Sequence, residues 1–483
     1  MGEDDLGHVQ AARQVKTLWF ALAVAAAARL LPLFLGYEHY GDAPVRIELA
    51  ETWARAPHLW RGFSETYQYG PLHLTLLGAL GRLLGDRVAG ARLLSFSCGL
   101  LCVALLYLIA ERERGAQPAF WAALGLSLSP LHIQASTTGA SEAVFLALLL
   151  AALLRVLEDR VIRAAVLIGA AGLVRYDGWL YVPLLGALLF LRRRDPYRAL
   201  GFCALAAAPA LFWMWINARY AGDALAPIRF INRDHRMLAQ MALSWFGQIR
   251  WRAYGLVYWP LAVCAIATPV LGLLALRGSW RALLRREAGW ELAALAWVPA
   301  AYFTFRTVVL ADFRPMARYA MATAALSLPF ADLGRFRKLA LAVLIATPLA
   351  LVGLSWGRNG DLAEWARPLS PLSSLPPGIA EAASWLKHNA RPDDVVLLDG
   401  VWDYLDIPLA FAAGLPDEQW IRVRWTDDFE QRLKRHDPTL LVLLYQGKLG
   451  DWTKDEFEFR GLKFCREKRF VYASIYRRCQ PRL

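Results

Sequence analysis

Apolar runs follow one another along most of this chain, and the short loops between them are crowded with arginine. A run of about 20 apolar residues matches the thickness of a bilayer core, where only helices and closed barrels satisfy the backbone. Arg192, Arg193 and Arg194 form the densest of these loops, and others fall at 111–114, 277–286 and 335–338. Basic loops alternating with apolar runs are the mark of a polytopic helical protein whose arginines face the cytoplasm. Composition agrees. Of the 483 residues, 57% are hydrophobic and 20% charged, and the mean hydropathy is +0.32, too apolar to cover a soluble surface. The formal net charge of +13 then reflects topology, and no nucleic-acid partner is expected.

The first run, 17–35, follows a polar stretch, 1–16, that carries Arg13 and Lys16 and shows no signal-peptide cleavage site. It reads as a retained span after a cytoplasmic N-terminus. About eleven spans are expected between 17 and 356, among them 88–110, 118–133, 143–157, 164–174, 199–216, 254–276, 290–310, 316–333 and 339–356. The run 71–84 is too short to cross upright. Counting it as a span would reverse the side of every later basic loop. It is expected as an interfacial or re-entrant helix inside a first external loop, 36–87. An odd number of spans places the C-terminal part outside.

Beyond 356 the pattern changes. Residues 357–378 are rich in proline, serine and glycine and read as a linker. The rest, 379–483, reads as a small extracytoplasmic α/β domain: helical periodicity over 379–389, buried strands at 394–399 and 439–445, and a half-exposed strand at 470–476. Cys98, Cys102, Cys203 and Cys264 lie in apolar runs and read as core residues, whereas Cys465 and Cys479 form a disulfide if the tail is extracytoplasmic.

Chemistry-bearing residues gather at the outer ends of the runs. Asp42, in Tyr40-Gly41-Asp42, follows the first span. A carboxylate there suits a general base or a metal ligand, and it equally suits an N-cap for a helix over 43–55. Glu142 stands at the outer start of the fourth span, as an active acid or as a helix-start acid favoured by the dipole. Arg175-Tyr176-Asp177 and Arg318-Tyr319 set arginine beside tyrosine at outer ends, a pairing that fits a phosphate at headgroup depth as well as plain anchoring. Arg219, Arg229, Arg233, His235 and Arg236 add cations to a second external segment, 217–249. In the tail, Asp399 to Asp403 follows a strand, where α/β domains place ligands and also plain turns. No phosphate-cradling glycine loop, Ser/His/Asp arrangement, HExxH pattern or metal-ligand spacing occurs.

Taken in order, these motifs resemble one family. Tyr40-Gly41-Asp42, Tyr69-Gly70-Pro71-Leu72-His73, the entry at 85–92, Ser129-Pro130 with Ser141-Glu142, the segment 173–179 and Arg318-Tyr319 together resemble the GT-C superfamily of membrane glycosyltransferases. That superfamily includes protein O-mannosyltransferases and lipid A aminoarabinose transferases, and the resemblance covers roughly 17–356. It implies a glycosyltransferase drawing its sugar from a polyprenyl-phosphate-linked donor at the extracytoplasmic face, in a bacterial inner membrane, among membrane lipids. It makes Asp42 the catalytic base or a metal-linked acid, and Glu142 the second acid. Arg175, Arg318 and Tyr319 fall to phosphate contact, and Tyr40, Tyr69, His73, Tyr176 and Asp177 to substrate contact. The chain departs from the family pattern in having no second aspartate near Asp42, which leaves a divalent metal without a ligand motif. The acceptor, whether protein, lipid or glycan, is not specified. Two rivals carry different expectations. A transporter or flippase of lipid-linked sugars would show matching halves and mid-span acids, and neither is found. A non-catalytic scaffold presenting the C-terminal domain would tolerate any residue at 42.

Overall fold

Helices build most of the chain, and a mixed sheet closes it. The computed structural model describes residues 3–55, 69–401, 404–423 and 429–479. Helix α1, Glu3–Leu35, includes the expected polar lead-in in one continuous helix with the first apolar run. After it come α2 (Ala43–Arg55), α3 (Pro71–Leu84), α4 (Arg87–Arg114), α5 (Ala116–Ser127), α6 (Pro130–Ala135), α7 (Glu142–Leu157) and α8 (Val161–Val174). Then follow α9 (Tyr181–Arg193), α10 (Pro196–Ala221), α11 (Ala226–Phe246), α12 (Gln248–Ile266), α13 (Pro269–Arg285), α14 (Trp290–Phe305), α15 (Met321–Ser327) and α16 (Arg337–Ser355).

Local chemistry sets the boundaries. Pro71 opens α3 at a position whose amide needs no partner, and Gly85 ends it with φ +67, the left-handed conformation glycine adopts without strain. One residue on, the Asp86 carboxylate accepts from the amides of Val88 and Ala89 and starts α4. Helix α7 is apolar on almost every side and buried along nearly its whole length, as a helix at the centre of a bundle must be. Helices α4 and α8 pack against it, and α5 packs on α4, in one large core.

Five stretches are long and apolar enough to cross a membrane: Gln14–Leu35, Arg87–Arg114, Pro196–Ala221, Trp290–Leu310 and Gly334–Ser355. The count of about eleven is not carried by helix length, because other expected spans are short or broken. The expected span 254–276 is two helices, α12 and α13. They part at Thr268, whose φ is +67, with Pro269 starting the second; proline favours a helix's first turn and cannot donate further back. The expected span 316–333 is a 3₁₀ turn, the short α15 and a second 3₁₀ turn. Helix α3 has the bounds expected of it, and its 14 residues span about 21 Å.

The segment expected as a linker is packed. It contains α17, Asp361–Ala366, and Ser370, Ser373 and Ser374 are buried. The Ser373 carbonyl accepts from the Tyr37 amide at 2.9 Å, so this strip lies against the exit from α1. Helices α18 (Pro377–Asn389), α19 (Asp406–Ala413) and α20 (Phe429–Arg435) accompany six strands: β1 (Val396–Leu398), β2 (Trp420–Arg422), β3 (Leu440–Leu444), β4 (Glu456–Phe459), β5 (Leu462–Arg469) and β6 (Ala473–Arg478). Their order is β2-β1-β3-β6-β5-β4. Strand β1 runs parallel to both neighbours, and the β3–β6, β6–β5 and β5–β4 pairs are antiparallel. Cys465 and Cys479 form a disulfide with Cα atoms 5.3 Å apart. The Asp399 carboxylate accepts from the amides of Gly400, Lys448 and Leu449, which makes it a loop tie. Trp402 and Asp403, the end of the motif noted there, lie outside the described residues.

Candidate active site

Everything at the site starts from the chain's exit from α1. Buried Glu38 accepts from Arg92 Nε at 2.5 Å and from the Gly139 amide at 2.8 Å. Arg92 also donates to the carbonyls of Leu33 and Gly36. One carboxylate and one guanidinium thereby fix α1's end, α4's first turns and the loop before α7. Deeper in α1, fully buried Arg29 donates to Ser136 Oγ and the Ser127 carbonyl, and shares a bond with His132 Nδ1. The loop leading to Glu142 is thus held from two heights.

Gly41, at φ +50, turns the chain so that Asp42 begins α2, its carbonyl accepting from the Arg46 amide. The side-chain bond that Asp42 makes is with Arg318, Nη1 to Oδ2 at 2.7 Å. Burial by itself would push this carboxyl up; Arg318 and Arg46 outweigh it and hold the group below the usual carboxylate value. The base expected from the sequence is therefore ionised and faces a cation, not an open amide cap.

Arg175 is the second node. Its Nη1 donates to Glu142 Oε1 at 2.7 Å and its Nε to Asp177 Oδ1 at 3.0 Å, and its guanidinium lies 5.2 Å from the Tyr319 ring centroid. Tyr176 donates to the Tyr69 carbonyl and accepts from Trp213 Nε1 at 2.9 Å. Gly70 makes this junction feasible, since a Cβ there would come within 2.2 Å of the Leu173 carbonyl oxygen. Tyr319 shares a 3.0 Å bond with His235 Nε2. Burial, with Arg318 and Arg306 alongside, pushes the His235 imidazole down to about 3, so it is neutral at pH 7. Asp234 is shifted the other way: burial pushes it up, Arg233 partly offsets this, and Asp42 adds to it.

These groups surround a cavity of about 500 Å³. Asp42, Tyr69, Arg175, Tyr176, Asp177, Arg318 and Tyr319 line it. Tyr40, His73 and Glu142, expected to touch substrate or act on it, are not among the lining residues. They are buried to 8%, 0% and 5% exposure, behind the wall, and the Glu142 carboxylate is taken up by Arg175. Arg175 and Arg318, expected at the phosphate, each hold a carboxylate, Glu142 and Asp42 respectively.

Sequence reasoning missed Arg46. It lines the cavity, is 6% exposed, makes no ion pair among the described residues, and has an Nη1 without a hydrogen-bond partner there. Its guanidinium stacks 4.3 Å from the Tyr69 ring centroid. The available signal was its spacing, one helical turn after Asp42. Arg306, Asn232 and Tyr404 were missed as lining residues too, with no local signal to mark them. A divalent metal does not fit at Asp42: its partner is a guanidinium, and no three His, Cys, Asp or Glu residues converge among the described residues.

Residues 69–215 match the family model described as dolichyl-phosphate-mannose-protein mannosyltransferase. No curated protein matches the chain in sequence. In fold it is similar to ArnT from Cupriavidus metallidurans bound to undecaprenyl phosphate, with a TM-score of 0.63 at 14% identity, covering 95% of this chain and 97% of that one. The apo state of the same protein gives 0.60 at 15% identity, covering 97% and 98%. The resemblance to GT-C membrane glycosyltransferases is borne out, in sequence pattern over part of the helical region and in fold over nearly the whole chain.

Proposed function

We propose that this chain, an integral membrane protein with the GT-C fold, transfers a sugar from a polyprenyl-phosphate-linked donor to an acceptor at the extracytoplasmic face. The observation that carries the reading is an ionised carboxylate, Asp42, sharing one cavity with a buried guanidinium, Arg46, whose Nη1 has no hydrogen-bond partner among the described residues. A base and a cation with a donor to spare, side by side, are what displacement of a phosphate by a hydroxyl or amine requires. The fold supports it, since the similar ArnT structure holds undecaprenyl phosphate. The disulfide supports an extracytoplasmic tail, because such bonds persist in oxidising compartments.

In this reading the acceptor's O–H or N–H lies against Asp42, which takes the proton as the nucleophile attacks the anomeric carbon. The bond from that carbon to the phosphate oxygen breaks, its electron pair stays on the oxygen, and configuration inverts. Arg46 receives the charge that develops there. Arg318 has two duties. Before the donor arrives it keeps Asp42 ionised, which also makes Asp42 a weak base. A donor phosphate entering beside Arg46 and Arg318 draws on the same cations, and the Asp42 carboxylate becomes more basic as its partners are shared. Donor binding thus readies the base.

The test is incubation of purified protein with a panel of polyprenyl-phosphate sugars, with released polyprenyl phosphate as readout. Release that depends on an added membrane acceptor fraction is expected for at least one sugar. No release across the panel overturns the reading.

A further inference from the structure

The C-terminal domain takes no part in that scheme, yet it is anchored to the helix that carries the base. Helix α2 begins beside Asp42 and bears Arg46 on its cavity side; farther along it turns Glu48 and Arg55 to the sheet domain. Glu48 forms a buried ion pair with Arg422 at the end of β2. Asp417 receives Arg55 at 2.6 Å and Arg87 at 2.8 Å. The contact is apolar as well. Ile407 of α19, fully buried, belongs to one cluster with Val45 and Leu49 of α2, Tyr69 and Tyr176, and Phe411 packs on it. A domain joined by a shared core and by ion pairs set on two helices is a fixed part of the site.

Just before α19 stands Tyr404. It lines the same cavity as Asp42 and Arg46, and its φ is +60, a backbone conformation that residues with a Cβ rarely adopt. Such outliers persist where the surroundings fix them and gather at functional sites. Two contacts fix it here: the Ile407 amide bonds the Tyr404 carbonyl, and Ile407 is locked into the core shared with α2. Other cavity walls come from α11, the end of α14 and the segment after it, through Ile228, Ile231, Leu238, Phe303 and Phe313. Those are apolar and suit a lipid chain. The sheet domain, whose outer strands β4 and β5 expose alternating charged residues, lies off the end of the last long apolar helix and faces water. What it contributes to the cavity meets the substrate that arrives from that side.

We infer that the C-terminal domain completes the active site, with Tyr404 as a specificity-determining residue that contacts the acceptor beside Asp42. The inference rests on the glycosyl-transfer reading and goes beyond it by giving the domain a substrate. A tyrosine presents a flat ring and a hydroxyl, and so suits an acceptor with both an apolar face and polar groups, as a saccharide ring has.

Full-length protein decides the matter, with a radiolabelled polyprenyl-phosphate sugar as donor and isolated membranes of the producing cell as a titrated acceptor pool. In Tyr404→Ala the apparent KM for the pool should rise about tenfold while affinity for free polyprenyl phosphate stays within about twofold. Tyr404→Phe should recover most of the loss. Where the alanine variant folds poorly, Tyr404→Leu fills the same space without the aromatic ring and should show the same acceptor defect. An unchanged acceptor KM in a folded variant overturns the inference, as does an equal loss of polyprenyl phosphate affinity. Wild-type protein that transfers no label is a different failure, that of the glycosyl-transfer reading itself, and it takes this inference with it.

Discussion

Asp42 and Arg318 stand 276 residues apart in the chain, yet Oδ2 of one accepts from Nη1 of the other at 2.7 Å. The pair joins the loop before α2 to the 3₁₀ turn before α15, and both residues line the cavity. Both functional expectations for Asp42, base and cap, are to be judged with that cation in place.

Asparagine separates the two. As an N-cap it is about equal to aspartate, and because the Asp42 side chain bonds Arg318 rather than a helix amide, Asp42→Asn should leave the start of α2 intact while giving up the ion pair. As a base it is inert, and removal of general-base catalysis costs about 10²–10⁴-fold in rate. Turnover at matched expression and melting temperature is the measurement. Activity within a few-fold of wild type returns Asp42 to a structural role.

Arg318 sets the pH at which Asp42 works. Burial raises the carboxyl and Arg318 with Arg46 lowers it further than burial lifts it, so the folded value lies below the unfolded one. The sign follows: Asp42 stabilises the fold above the ordinary carboxylate pKa, and that share is lost as pH falls through the folded value. Arg318→Gln removes the larger of the two lowering influences. The acid limb of the rate profile should move to higher pH, and the share of the melting temperature lost on acidification should shrink relative to wild type. An acid limb that stays in place shows that Asp42 is not the titrating base.

Arg46 should govern donor affinity. Arg46→Gln keeps polarity and removes the charge, and a lost charge-assisted phosphate contact is worth about 1.5–3 kcal/mol, or about 10–100-fold in Kd. Arg46→Lys should restore part of it, since lysine offers a point charge without the planar fork. Titration of the purified variants with polyprenyl phosphate reads this out, and wild-type affinity in Arg46→Gln sends the phosphate elsewhere.

Arg175 should behave as a structural cation. It is almost fully buried between Glu142 and Asp177, and removing one partner of a buried pair costs about 3–5 kcal/mol because a charge is left uncompensated. Arg175→Met should therefore lose folded protein, whereas Arg175→Met combined with Glu142→Gln should recover a good part of it. Thermal melts of the single and double variants decide. A single variant that melts like wild type but binds donor poorly would return Arg175 to phosphate contact.

Orientation is open to a direct check. Cysteines placed at Arg193 and at Lys448 should react with membrane-impermeant reagents from opposite faces, the first from the cytoplasmic side. Labelling of both from one side removes the extracytoplasmic site.

Sequence made the ordering of motifs legible because each sits at a helix end, where polarity and turn chemistry change abruptly. The limits of α3 follow from Pro71 and Gly85, and the buried strand β3 from an unbroken apolar run. What stayed hidden depends on which way a helix faces. Arg46 looks like any polar residue on α2 until the Tyr69 ring stacks beneath it. Glu142 reads as an outer acid until Arg175 turns out to occupy it. The break at Thr268 lies within a run apolar enough to pass for one span, and hydropathy does not register a backbone dihedral. Tyr404 belongs to a domain whose docking no local pattern encodes.

The Glu48–Arg422 pair has a bearing on how the molecule is made. The two residues are 374 positions apart, and a ribosome adding about 5–20 residues per second needs about 19–75 s to go from one to the other. Throughout that interval the helix beginning at Asp42 is already synthesised while the surface it docks on does not yet exist. A nascent chain halted anywhere short of residue 422 carries α2 without the partner of Glu48. Docking of the C-terminal domain on α2, and with it the placing of Tyr404 at the cavity, therefore comes last in synthesis.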